Sequence, residues 1–386
     1  MENSQDKSRS LVQSLAVQTQ VHMAGTVGRM LKQIRDLEKA APLFVEAGLV
    51  RSVDRPNPLT VNVAGISTKA VTRRVAGGFL YAAAGVRIDL SVTNNMVATR
   101  GEDSVCEIDD IDYDDQSKRY QLIAIRQAYE LAGRAIQSGE PFDLILCDCP
   151  LLLNRSMVAP EEGLRYAALR NTYQATVDTI SDFWHNHREK LFPWNRKGPL
   201  FAGLASERFG AIIHVAQQDM RTEEGRRHVL HLEELKAGSL RQLAGVQAAI
   251  SGVGERRFIN GILGGFTRTS GFRMNTQTPR MEPSDVAAGG VVGMHYCAGP
   301  GTPPRLVQMI GDEPAWTAQD LDDLTGRLMA LTVAGGKSAW PMPVQLAARE
   351  LASLDGFIEH YRSGVHGEMK KRNIEDVWLS ELDDLI

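Results

Sequence analysis

Asp148 closes an apolar run, Phe142-Asp143-Leu144-Ile145-Leu146-Cys147-Asp148, and is followed by Cys149-Pro150-Leu151. A carboxylate at the C-terminal end of a buried strand, running into a turn, is a common place to hold a divalent cation. Hydrolysis assisted by such a cation needs further oxygens converging on it. One carboxylate and water hold an ion too weakly to organise an in-line attack. A histidine nearby would position water or protonate the leaving group.

Other clusters offer less. The acidic run Glu107 to Asp115 reads as a solvated loop before it reads as a metal site. His185 and His187 stand two apart on one helix, which turns them away from each other. Gly335-Gly336-Lys337-Ser338 lacks the leading glycine of a phosphate-binding loop, because position 331 is Leu, and it follows a helix. Cys147 and Cys149 flank Asp148, so both sulfurs point to the face opposite it. With no paired CxxC spacing, the four cysteines read as buried thiols in a reducing cytosol.

Arg256, Arg257, Arg268, Arg273 and Arg280 interleave with Phe258, Phe266 and Phe272 in a Gly-rich stretch. Alternating guanidinium and aromatic groups suit single-stranded nucleic acid, through phosphate contacts and base stacking. A solubilising loop has equal claim to the same pattern. Arg73 and Arg74, beside the first long strand, are a second candidate contact.

The elements that must position these groups follow from period. Apolar residues from Leu11 to Ile34 recur at helical spacing, so residues 8 to 50 are expected to be helical. Leu59 to Val63 alternates, Gly77 to Ile88 reads as a second strand antiparallel to it, and 90 to 98 as a third. A helix is expected from Ser117 to Gln137, then the Asp148 strand, then helices at 161 to 190 and 223 to 250 around a strand at 209 to 216. The stretch from 252 to 280 is expected as loop with short strands. A late strand at 305 to 310 and a helix at 317 to 333 follow. The tail after 365 is charged and amphipathic. Three strands, a helix and a further strand open a ribonuclease-H-like α/β fold, in which metal acids sit on the first strand, the helix and the strand after it.

The 386 residues, 43% of them hydrophobic, suffice for a large core, and a net charge of −4 excludes a globally basic nucleic-acid binder while permitting a local basic channel. No stretch is long and apolar enough to span a bilayer, and the first residues carry no signal core, so a cytoplasmic location is expected.

Four passages together resemble the NurA nuclease family, partners of HerA-type translocases in DNA end processing and some defence systems. They are Val61-Asn62-Val63-Ala64-Gly65-Ile66-Ser67, Leu122-Ile123-Ala124-Ile125-Arg126-Gln127-Ala128, Leu146-Cys147-Asp148-Cys149-Pro150-Leu151, and Trp340-Pro341-Met342-Pro343-Val344-Gln345-Leu346-Ala347-Ala348-Arg349. The last is the most specific, matching both a Pro-x-Pro and its offset to the family's histidine. The resemblance implies manganese or magnesium as cofactor, single-stranded DNA or DNA ends as substrate, a homodimer, and a hexameric HerA-type ATPase as motor.

It also marks departures. Ala64 stands where the family has its first-strand Asp, Ala124 where the helix Glu is placed, Ala348 where it has His, and Trp340 replaces Tyr. Glu130 is the alternative helix acid. The resemblance thus implies a metal-dependent DNA nuclease with its catalytic positions emptied, by deliberate inactivation or as a natural pseudonuclease. The alternative function is a non-catalytic DNA-binding clamp that regulates a translocase. The expected organisation is a helical extension over 1–56, the nuclease domain over 57–355 and a helical tail over 356–386.

Overall fold

The computed structural model describes residues 11–75, 78–111, 116–151, 153, 157–158, 166–205, 229–231, 235–236, 238–239, 241–243, 253–274, 291–310, 315–336 and 340–373. A long helix α1 (Leu11–Glu46) leads to a short strand β1 (Val50–Ser52) and then three long strands, β2 (Val61–Val75), β3 (Gly78–Thr93) and β4 (Met96–Ile111). Helix α2 (Gln116–Gln137), strand β5 (Leu144–Cys147), helix α3 (Ala167–His187) and strand β6 (Leu200–Ala205) follow. The remainder is α4 (Glu255–Ile262), β7 (Thr267–Thr269), β8 (Phe272–Met274), β9 (Val291–Cys297), β10 (Arg305–Ile310), α5 (Ala318–Ala334), α6 (Met342–Glu350) and α7 (Leu354–Lys371).

Among the described residues, one mixed sheet of ten strands runs in the order β1-β7-β9-β10-β6-β5-β2-β3-β4, with β8 also on β9. Parallel pairing between strands among the described residues is confined to its centre, β2 with β5 and β5 with β6. The expected order of three strands, a helix and a strand is therefore present, and the architecture is a ribonuclease-H-like α/β sheet covered on both faces.

Alternation along β2 and β5 sets the two faces. Ala64, Ile66, Ile145 and Cys147 join one core with Leu122, Ile125 and Ala128 of α2, Leu169 and Ile180 of α3, and Leu37 and Phe44 of α1. Val61, Val63, Leu144 and Leu146 join the opposite core with Leu324 and Leu328 of α5 and Val344 and Ala347 of α6. The outer half of the β2–β3 pair carries α7, through Val75, Leu80, Ala82, Leu354 and Ile358. Helix α5 starts on a capping box: the Asp320 amide donates to Thr317 Oγ1 and the Thr317 amide to the Asp320 carboxylate. Arg196 then grips the same carboxylate with two bonds of 3.0 Å.

Some expectations change. Residues 90 to 98 are not a separate strand but the end of β3, a two-residue turn at Asn94 and Asn95, both with positive φ, and the start of β4. The first part of the acidic run, Glu107 to Ile111, is strand and not loop, pairing with Phe79 to Ala83. The stretch from 252 to 280 contains α4 as well as short strands. Within the expected helix 223 to 250, residues 238–239 and 241–243 are helical, but Val229 bridges to Phe272 and the Leu230 amide donates to the Gly271 carbonyl, so its start is sheet-like. The expected strand at 209 to 216 and the end of the tail lie outside the described residues. The first 56 residues also contribute to the body, since β1 pairs with β7 and α1 buries Leu37 and Phe44.

Candidate functional site

The site is built where β5 stops beside β2. The parallel ladder runs Val63 with Leu144, Ala64 with Ile145, Gly65 with Leu146 and Ile66 with Cys147. The Asp148 amide makes the last step, donating to the Ile66 carbonyl at 3.1 Å. There the backbone bends, and the Asp148 side chain takes over. Its carboxylate accepts from the Thr68 amide (3.1 Å to Oδ1), from Thr68 Oγ1 (3.4 Å) and, by a short bond, from Ser67 Oγ. Ser67 is buried and Asp148 half-buried.

Asp148 is fixed from both sides, by the turn after it and the strand end before it. The Leu151 amide donates to Gln308 Oε1 at 2.7 Å, Tyr129 Oη donates to the Leu151 carbonyl at 3.2 Å, and the Cys147 thiol to the Ala202 carbonyl at 3.5 Å. Gly203 leaves room for this turn, because a β-carbon there would lie 2.6 Å from the Cys149 carbonyl oxygen. Burial pushes the Asp148 carboxyl up to about 6, against the hydrogen bonds from Ser67 and Thr68 that pull it down.

The expected partners do not converge on this carboxylate. Ala64 is fully buried and three residues before Ser67, about 10 Å along the strand. It faces α2, the side of the sheet opposite Ser67. Ala124 is half-buried on α2. Glu130, the alternative acid, is exposed and paired with Arg134 at 2.6 Å. Ala348 is exposed on α6, next to the buried Ala347. Trp340 precedes α6 with the Arg305 guanidinium 4.0 Å from its ring centroid. The residues that sequence reasoning missed are Ser67 and Thr68. They follow Ile66 in the same strand, and only the pairing of Ile66 with Cys147 shows that they, not Ala64, stand level with Asp148.

Whether a metal centre fits these residues is answered by the donors present. Among the described residues no three His, Cys, Asp or Glu side chains come together to hold an ion. Asp148 already accepts from two hydroxyls and an amide, and no second carboxylate touches it among its bonds. The set does not fit a catalytic divalent cation. The histidines stay apart as expected: His185 is exposed, while His187 is buried edge-on to Phe183 at 5.4 Å, and burial lowers its pKa.

The proposed DNA contacts separate into two kinds. Arg268 is buried (1% exposed), donates to Asp322 at 2.6 Å and to the carbonyls of Thr269 and Ala318, and ties β7 to α5. It is a structural ion pair and not a surface contact, because a guanidinium with all its bonds inside the protein has none left for a phosphate. Phe258 and Phe272, read as stacking groups, are core residues. Arg73 is bound to Glu359 of α7, and Arg257 to Gln33 of α1. Arg74, Arg256 and Arg273 are exposed. Arg280 lies outside the described residues.

No protein-family model and no curated protein matches the sequence. Among solved structures, the NurA nuclease from Sulfolobus solfataricus superposes with a TM-score of 0.55 over 92% of this chain and 97% of that one, at 12% identity. This chain has the NurA fold. A NurA structure with manganese (TM-score 0.42, 9% identity, 91% of this chain and 98% of that one) and an endonuclease V from Bacillus subtilis (0.33, 12%, 83% and 91%) superpose less closely. The NurA fold accounts for the sheet and the covering helices. No described helix is long and apolar enough to cross a membrane.

Proposed function

We propose that this protein is a NurA-like DNA-handling subunit whose hydrolytic centre is vacated, so that it binds DNA without cutting it. The observation that carries this reading is the state of Asp148, a lone carboxylate taken up by Ser67 and Thr68. A phosphodiester hydrolase of the metal-dependent kind needs that carboxylate to face a cation and further acids. The family resemblance supplies the rest of the reading: single-stranded DNA or DNA ends as ligand, a hexameric HerA-type ATPase as motor, and a homodimeric state. Manganese or magnesium would belong to the ancestral chemistry. Arg74, Arg256 and Arg273 are exposed cations within reach of a phosphate backbone at the surface.

Ser67, and not an alanine, stands level with Asp148. That favours a natural pseudonuclease over a nuclease disabled by alanine substitution. The test is to incubate the protein with labelled single-stranded and blunt duplex DNA in manganese, with and without its motor, and to record binding and cleavage together. Retarded, intact DNA is the expected result. Manganese-dependent cleavage that disappears in Asp148→Asn would overturn the proposal and restore the nuclease reading.

A further inference from the structure

A cavity of about 670 Å³ lies beside the start of β2. Its volume is within the range of small-molecule sites, about 300–1,000 Å³. Ser67 stands six residues beyond Val61, the first residue of β2, or about 20 Å at roughly 3.3 Å per residue. The cavity is therefore separate from Asp148 and its partners.

Two apolar walls enclose it. The β3–β4 hairpin supplies Val92 and Val97, and the last turns of α5 supply Ala330, Val333 and Ala334. Ala330 and Ala334 are one turn apart and carry a methyl group each, so the helix side is smooth. Val97 is 46% exposed and Val333 44%, which leaves apolar surface open at the mouth. A flat apolar body laid between these walls would cover it.

The rim supplies a cation. The Arg55 guanidinium lies over the Phe266 ring, 4.3 Å from its centroid, and both residues line the cavity. Phe266 has a φ of 61°, which is rare for a bulky side chain. Two hydrogen bonds hold it there. The Phe266 amide donates to the Cys297 carbonyl at 2.9 Å, and the Val53 amide donates to the Phe266 carbonyl at 3.0 Å. The second bond also fixes the chain two residues before Arg55, so ring and cation are placed together. Backbone strain held by its surroundings in this way gathers at active sites and ligand clamps.

Arg55 is exposed, and among the described residues no carboxylate pairs with it. One face of the guanidinium rests on the ring, while its N–H donors stay in the plane, in the fork that grips a carboxylate or phosphate. Asp54 lines the same rim. Its carboxylate repels a second negative group and accepts from a hydroxyl or an amine.

We infer that this cavity binds a small molecule with a flat aromatic body and one phosphate or carboxylate group. The body lies between the hairpin and α5, the anionic group meets Arg55, and a hydroxyl or amine meets Asp54. The site goes beyond the DNA-handling reading and does not rest on it.

The full chain is titrated by calorimetry with AMP, naphthoate, adenosine and inorganic phosphate. AMP and naphthoate join a ring to an anion, whereas adenosine lacks the anion and phosphate lacks the ring. AMP, naphthoate or both should bind, and adenosine and phosphate should bind about tenfold more weakly or not at all. Which of the first two binds tells a phosphate ligand from a carboxylate one. Arg55→Gln should weaken binding about tenfold. Ala334→Phe, which puts a ring into the cavity, should abolish it. Both positions are exposed, so both variants should melt like the parent. Binding of neither AMP nor naphthoate would overturn the inference. So would adenosine bound as tightly as AMP, or binding that survives either substitution. AMP displaced by single-stranded DNA would put it on the DNA surface and overturn the cavity as its site.

Discussion

Gly65 of β2 lies directly under Pro343 at the start of α6: a β-carbon at 65 would come 2.4 Å from the Pro343 carbonyl carbon and 2.6 Å from the Val344 amide nitrogen. The contact sets the height of α6 over the sheet one residue before Ile66. Backbone on both sides leaves nothing to rotate away. Gly65→Ala should therefore force the helix outward and destabilise the fold by about 1–3 kcal/mol. A lower denaturant midpoint with unchanged slope is the expected observation, and an unchanged midpoint would contradict the close approach.

Ala64→Asp and Ser67→Asp should behave oppositely, although they are three residues apart. At 64 a carboxylate enters the apolar core among Ile66, Ile145 and Leu122, with a cost of several kcal/mol unless it protonates. At 67 it stands against Asp148. Two adjacent carboxylates repel until a cation joins them, so manganese should raise the melting temperature of Ser67→Asp by several degrees and leave the parent unmoved. Equal manganese responses would show that Ser67 does not face Asp148.

The pH dependence of stability follows from Asp148. Its folded pKa of about 6 lies above the usual carboxylate value near 4, so the native state holds its proton more tightly than the unfolded chain. The resulting stabilisation is complete below about pH 4 and is lost as pH rises through about 6. Asp148→Asn has no such loss. The difference in melting temperature, variant minus parent, should therefore grow from pH 4 to pH 8. A flat difference would mean that Asp148 ionises freely.

Arg268→Ala should cost about 3 kcal/mol, because it removes a buried guanidinium from Asp322 and leaves a gap behind it. DNA affinity, measured where the variant is still folded, should not change. Arg256→Ala with Arg273→Ala should show the reverse: unchanged melting, weaker retardation of DNA and a shallower dependence on salt. Weakened DNA binding by Arg268→Ala alone would return that residue to the interface.

Much of this fold is written in local pattern. The alternation of β2, the apolar face of α2 and the run into Asp148 each follow from period, and their order gave the architecture. What failed to read was position across the sheet. A slip of one residue in a strand turns every side chain to the other face. Nothing local distinguishes Val63-Ala64-Gly65 from Ile66-Ser67-Thr68 as the end that meets Asp148. The acid-rich end of β4 misled for a related reason. β4 is an edge strand, and charges that keep an edge from pairing with other chains look like a solvated loop. Arg268 looked like its neighbours because burial of an arginine depends on Asp322, which is 54 residues away.

The pairing of β1 with β7 has a consequence for how the protein is made. Val50 to Ser52 find their partners at Thr267 to Thr269, and Phe44 finds its cover at Phe258. At about 5–20 residues per second, that edge of the sheet waits roughly 10 to 45 s after its first strand is synthesised. During this interval β2 to β4 can zip together as adjacent hairpins, while Leu37 and Phe44 still lack α4. The nascent chain thus carries an uncovered apolar surface throughout this interval, which gives a chaperone a long opportunity to act on this stretch.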